Sequence, residues 1–229
     1  MKIFVFAVLA AGIAAAQEPA RVVAHGEGSA TAKPDQVRIQ IGVTTQAATA
    51  QEAGAQNAKQ SAAVISELKQ QLGAGAEYQT SNYSLYPTYR SQRDGGKPTI
   101  SGYQANNLVE VRLSDVSLAG KAVDAATKSG ANQVQGIHFS LKDEQKVRVE
   151  ALAKAAAQAR TNVQALASAL GLKIVRVVRV EDGEPVRVMP VRAEMMMRSM
   201  AADSAAPTPV EAGTIDVKAT VTMTAEVAP

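Results

Sequence analysis

Arg21-Val-Val-Ala-His-Gly-Glu-Gly-Ser-Ala-Thr-Ala-Lys-Pro-Asp-Gln-Val-Arg-Ile-Gln-Ile-Gly-Val43 reads as two strands joined by a bend. From Val37 onward, Val37, Ile39, Ile41 and Val43 share one side of an extended chain, and Arg38, Gln40 and Gly42 take the other, so one face of a sheet is dry. Gly26 and Gly28 flank Glu27, and Pro34 pushes Lys33 towards an extended conformation, so the stretch predicts a bend built without a helix. A dinucleotide fingerprint would need a third glycine and a helix whose N-terminus meets the pyrophosphate. Here Thr31 occupies the third position, and Lys33-Pro34-Asp35 leads into another strand.

Upstream, Lys2 precedes the apolar run from Ile3 to Ala11, and Ala14-Ala-Ala16 precedes Gln17. A short positive end, an apolar run too brief to span a bilayer and an A-x-A site formed by Ala14 and Ala16 predict a secretory signal over residues 1–16, cleaved between Ala16 and Gln17. The mature chain, residues 17–229, is then exported to the periplasm, with no transmembrane segment of its own.

The chain has no cysteine, which excludes disulfides, a thiol nucleophile, thiolate metal sites and a lipidated-cysteine anchor. The formal net charge is +3, one unit of which leaves with Lys2, and the charges are interspersed. That argues against a nucleic-acid footprint or a polybasic lipid-binding segment. Aromatic residues make up only 3% of the chain, so alanine, valine and leucine must fill the interior.

Residues 49–72 carry Val64, Ile65, Leu68 and Leu72 at helical spacing, with Gly73 as the stop. Residues 77–89 and 99–113 read as an antiparallel hairpin around a polar turn that contains Asp94-Gly95. A helix follows from Ser114 or Asp115 to Ser129, then a short strand over 134–141. The longest helix, 143–170, has Val147, Ala151, Ala155, Ala159, Val163, Leu166 and Leu170 as one stripe and spans about 42 Å. Strands over 172–180 and 213–227 complete the series, the latter alternating strictly from Ile215 to Glu226.

The order β-β-α-β-β-α-β-α-β-β predicts an α+β fold of mostly antiparallel, hairpin-linked sheets covered by alanine-rich amphipathic helices. Residues 181–212 differ in composition, with five of the seven methionines and four prolines, and predict a long mobile loop without regular strands.

Catalytic groupings are scarce. His25 and His138 are the only histidines, and neither has a partner at metal-ligand spacing. No G-x-S-x-G elbow occurs. Gly95-Gly96-Lys97 resembles the end of a P-loop, but Ser91 stands where the first glycine belongs and Pro98 follows the lysine. No catalytic residue, cofactor or metal is therefore expected.

Two clusters stand out instead. All five tyrosines lie in the hairpin region, and by simple alternation Tyr83, Leu85 and Tyr89 share one face while Tyr86 takes the other. They either pack under the helices or form a subunit interface, to which Tyr83, Tyr86 and Tyr89 are assigned. Met195, Met196 and Met197 suit thioether Cu(I) binding, sacrificial oxidation or adaptable apolar contact, and the sequence leaves these open.

Five stretches together resemble the SIMPL-domain family of exported bacterial proteins, which includes immunogenic envelope proteins and relatives linked to oxidative stress. They are Val23-Ala-His-Gly-Glu-Gly-Ser-Ala-Thr-Ala-Lys-Pro-Asp35, Gln79-Thr-Ser-Asn-Tyr-Ser-Leu-Tyr-Pro87, Gly102-Tyr-Gln-Ala-Asn-Asn-Leu-Val-Glu-Val-Arg112, Gly130-Ala-Asn-Gln-Val-Gln-Gly-Ile-His-Phe-Ser140 and Pro207-Thr-Pro-Val-Glu-Ala-Gly213. The resemblance implies one SIMPL-like α+β domain over 17–229, periplasmic or outer-membrane-associated, that tends to self-associate and has no established catalytic residues.

The resulting expectation is a non-enzymatic, self-associating envelope protein that contributes to envelope integrity or oxidative-stress tolerance, with envelope proteins as further partners and no nucleic acid. A binding or holdase-like module using the methionine-rich loop is the alternative, and an unrecognised hydrolase a third.

Overall fold

The computed structural model describes residues 19–90, 97–183, 189–191 and 208–229. The fold is α+β. Its elements are β1 (Arg21–Ala32), β2 (Gln36–Ala47), α1 (Ala50–Leu72), β3 (Ala76–Arg90), β4 (Thr99–Leu113), α2 (Ala119–Lys128), β5 (Gln133–Ser140), α3 (Glu144–Ala169), β6 (Lys173–Asp182), β7 (Met189–Val191) and β8 (Thr214–Ala228). One sheet runs β1-β8-β6, with β7 also paired to β8, and the other runs β3-β4-β2-β5. The chain divides into two units, one of Met1–Gly28, Ala151–Val186 and Ala219–Pro229, the other of Ser29–Glu150 and Arg187–Lys218.

In the second unit β2 is antiparallel to both neighbours, from Val37 opposite Leu113 to Ala47 opposite Tyr103 on β4, and from Gln36 opposite Ser140 to Gly42 opposite Gln133 on β5. The alternation on β2 therefore becomes a buried row, Val37, Ile39, Ile41 and Val43, that packs with Val109, Val111 and Leu113 of β4 against Val64, Leu68 and Leu72 of α1 and the alanines of α2. Thr49 caps α1, its hydroxyl accepting from the Glu52 backbone N–H, and Gly73 stops it at φ 66°.

The buried stripe of α1 also includes Asn57 and Ser61, which hydrophobic periodicity passes over. Asn57 is fully buried because its Nδ2 donates to the carbonyls of Val43 (2.7 Å) and Ala105 (3.2 Å), and the Ser61 hydroxyl donates to its Oδ1 (3.4 Å). Where β5 stops short of Thr44, the Asn132 side chain continues the ladder: Oδ1 accepts from the Thr44 N–H at 2.8 Å and Nδ2 donates to the Thr44 carbonyl at 2.7 Å.

In the first unit α3 lies on β1, and here the opening stretch needs a correction. The glycines do not bend the chain, because β1 runs unbroken through both and neither has a positive φ. They are there for clearance. A β-carbon on Gly26 would meet the Ala155 carbonyl oxygen and the Ala159 amide nitrogen, and one on Gly28 would meet the Ala151 carbonyl oxygen. The turn itself is Lys33-Pro34-Asp35.

The buried stripe of α3 is Ala151, Ala155, Ala159, Val163 and Ala167, whereas Leu166 and Leu170 are exposed. Helix and sheet backbones approach so closely that only small residues fit along the seam, and Ala167 replaces the expected leucines. Strand β8 keeps the alternation read from sequence, with Ile215, Val217, Ala219, Val221, Met223, Ala225 and Val227 all buried. Within the segment expected to lack strands, Glu181 and Asp182 extend β6, and Met189–Val191 pairs with Thr214–Asp216 as β7.

Candidate functional site

Among the described residues, strand β3 ends its sheet's path and pairs only with β4. Because β2 stops at Ala47, opposite Tyr103, while β3 and β4 stay paired to Arg90 and Thr99, the last turn of the hairpin is a two-stranded ribbon. An edge strand offers side chains on both faces and a row of backbone groups. Tyr89 lies on this ribbon, and Tyr83 and Tyr86 precede it on the same strand, where β2 still flanks β4.

The structure separates the five. Tyr78 packs half-buried against the core with the Lys69 ammonium 5.9 Å from its ring centroid, and burial raises its hydroxyl pKa. Tyr103 is also half-buried. Tyr83, Tyr86 and Tyr89 are 53%, 44% and 61% exposed, and Leu85 and Ile100 add further exposed apolar surface.

Tyr83 is opposite Asn107 and Leu85 opposite Ala105, on the face that α1 covers, and the Tyr83 hydroxyl reaches the vicinity of Gly54. Tyr86 is opposite Gln104, whose Nε2 donates to the Tyr86 hydroxyl at 2.5 Å while its Oε1 accepts from Gln46 at 2.9 Å. The Tyr86 hydroxyl is thus held by Gln104, which Gln46 of β2 holds in turn. A register shift between Thr88 and Tyr89 passes over Ser101 of β4 and sets Tyr89 opposite Ile100, while β3 itself runs on without a skipped residue, so Tyr89 keeps the alternation from Tyr83 and Leu85.

The amides of Gln46 and Gln104 and the exposed Ile100 also belong to this surface, which the alternation along one strand does not show. The signal lay in cross-strand register, which becomes readable only once strands are paired. Of the other expected residues, Met195, Met196, Met197, Ala14, Ala16 and Gln17 lie outside the described residues.

Among the described residues the two histidines and the one carboxylate cluster lie on separate elements. His25 Nδ1 is 2.9 Å from the Thr222 hydroxyl, and Asn162 donates to the His25 carbonyl at 2.7 Å, which fixes the residue on an exposed strand face. His138 is opposite Arg38 on β2. A half-open depression of 260 Å³ is lined by Glu77, Tyr78, Gln79, Glu110 and Arg112. Its carboxylates are engaged by one guanidinium, Arg112 reaching Glu110 at 3.0 Å and Glu77 at 3.4 Å. Among the described residues no group of three His, Asp or Glu side chains could hold a metal, and no helix is long and apolar enough to cross a membrane.

Comparison with known proteins adds a family. The model of the SIMPL family, described as "Protein of unknown function (DUF541)", matches residues 22–225. The 26 kDa periplasmic immunogenic protein of Brucella melitensis is 30% identical over 200 residues, covering 86% of this chain and 80% of the relative. The uncharacterized protein YggE of Escherichia coli is 28% identical over 184 residues, covering 80% and 72%. Neither relative is named as an enzyme.

Proposed function

Because the chain belongs to the SIMPL family, we propose that it is an exported, non-enzymatic envelope protein whose folded body binds further copies of itself through the tyrosine-bearing edge of β3. The observation that carries this reading is the edge of β3: Leu85, Tyr86 and Tyr89 are exposed along it, with Ile100 of β4 exposed opposite Tyr89. Tyrosine suits a surface that is alternately wet and buried, because its ring contributes apolar area while its hydroxyl keeps a polar partner. The Gln104 amide orients Tyr86 in advance, which lowers the entropy lost when a partner arrives.

Export is supported by the secretory pattern of residues 1–16 and by the Brucella relative, which is named periplasmic. A structural role in the envelope, with a contribution to its integrity or to tolerance of oxidants, is part of the same proposal and is supported by the periplasmic naming of the Brucella relative. The test is the particle mass of the mature protein in solution. Wild type sediments as an oligomer, and Tyr86→Ala with Tyr89→Ala lowers the mass while leaving the circular dichroism spectrum unchanged. A wild-type monomer at tens of micromolar, or a double variant of unaltered mass, refutes the reading.

A further inference from the structure

The second unit's sheet has a face turned away from α1 and the core. Register puts the even-numbered residues of β2 and β4 on it, from Arg38 opposite Arg112 to Gln46 opposite Gln104. The eight residues of β4 between those two rows span about 26 Å. The charges that β2, β3 and β4 bring to this face cancel: Arg112 reaches Glu110 and Glu77, and Arg38 is the second arginine. A phosphate or carboxylate polymer therefore finds no basic stripe here.

The face offers amides and hydroxyls instead. Thr44 donates to Asn106 at 3.1 Å, and Gln46 donates to Gln104, which donates to the Tyr86 hydroxyl. An amide carries two donors and an acceptor, so each of these bonds leaves capacity over. Two further polar atoms on this face are buried without a partner among the described residues, the donor Arg112 Nε and the acceptor Gln133 Oε1. Gln133 is opposite Gly42, and a β-carbon at position 42 would lie 3.0 Å from that oxygen. Buried orphans call for a cause, and a pair of opposite polarity suits a ligand whose groups both donate and accept.

At one end the face sinks into the depression of 260 Å³ beside Arg112. At the other the Tyr86 ring, oriented by Gln104, is 44% exposed. A sugar hydroxyl donates and accepts at once, and a pyranose adds a flat C–H surface that packs on an aromatic ring. We propose that this face binds an uncharged glycan strand, laid along β4 from the Arg112 depression to the Tyr86 ring, with its hydroxyls bonded to Gln133 and Asn106 on the way. This goes beyond self-association and does not rest on it. Tyr86 is shared with the association edge, so the test is placed on other residues.

Chitohexaose and cellohexaose are titrated calorimetrically into the mature protein. The expected result is saturable binding of at least one, with a Kd below about 1 mM, that survives about 1 M sodium chloride. Gln133→Ala with Asn106→Ala weakens it about tenfold, and the exposed Gln79→Ala about threefold, as lost hydrogen bonds should. Arg38→Gln leaves it within about twofold. Circular dichroism and particle mass stay as in wild type throughout, and if the double variant fails that control, Gln79→Ala decides. No binding of either oligosaccharide overturns the proposal, as does binding that the amide substitutions leave unaltered. Binding of dextran sulfate alone, lost in salt, also overturns it and gives the face to anions. Glycan binding by a wild-type monomer sinks the self-association reading and leaves this one standing.

Discussion

Gly26 lies so close to the Ala155 carbonyl oxygen that a β-carbon at position 26 has no room. The obstruction is helix backbone, which cannot rotate away as a side-chain tip could, so α3 must lift from β1 to admit even a methyl group. Gly26→Ala is expected to destabilise by at least about 2 kcal/mol. Gly75→Ala, at a position with nothing within 4 Å, stays within about 0.5 kcal/mol of wild type. Urea denaturation of the two variants decides it, and equal midpoints refute the clearance argument.

Asn57 is a polar residue doing a core residue's work. Asn57→Ala leaves the carbonyls of Val43 and Ala105 without this donor and opens a small void under α1, a loss of about 2–4 kcal/mol from burial of unsatisfied groups. Asn57→Leu fills the void but does not restore the bonds, and is expected to remain destabilised. A leucine variant as stable as wild type contradicts this.

Asp124 of α2 accepts from the Thr208 hydroxyl at 2.6 Å and from its backbone N–H at 3.2 Å, and these bonds, the hydroxyl first, lower its pKa below the ordinary 3.8. A carboxyl whose folded pKa is depressed contributes stability above its unfolded value and loses it as pH falls through the folded one. The gap in melting temperature between wild type and Asp124→Ala is therefore flat from about pH 5 to 8 and closes below pH 3.8. Hydrogen exchange at residues 208–213 follows the same course. A gap that persists in strong acid would show that the contact is not ionic.

Tyr86→Phe separates ring from hydroxyl. The exposed Gln104 amide turns to water, so folded stability changes by about 0.5 kcal/mol or less. If the ring is what a partner buries, Tyr86→Phe with Tyr89→Phe keeps the oligomer that the alanine pair loses. Loss of mass in the phenylalanine pair assigns the contact to the hydroxyls.

The parts of the fold legible in the sequence are those set by local periodicity. The alternation of β2 and β8 and the 3.6-residue stripes of α1 and α3 are consequences of one buried face, and that face is visible in a single segment. Gly26 and Gly28 were misread because their cause is a helix more than a hundred residues away, and nothing beside them in the chain distinguishes a bend from a clearance. Asn57 was passed over for the same reason, its acceptors being carbonyls of two other strands. In the candidate site the tyrosines were legible by type, but the shift that puts Tyr89 opposite Ile100 depends on how β3 and β4 pair, which a count along one strand does not contain.

Strand β8 sits between β1 and β6 in its sheet although it is the last of the three to be synthesised. Strand β1 therefore emerges first and waits for a neighbour encoded almost two hundred residues later, so this sheet cannot close on a nascent chain. The late position of the central strand therefore sets an order of events: the sheet of β1, β8 and β6 stays open until residues 214–228 are available.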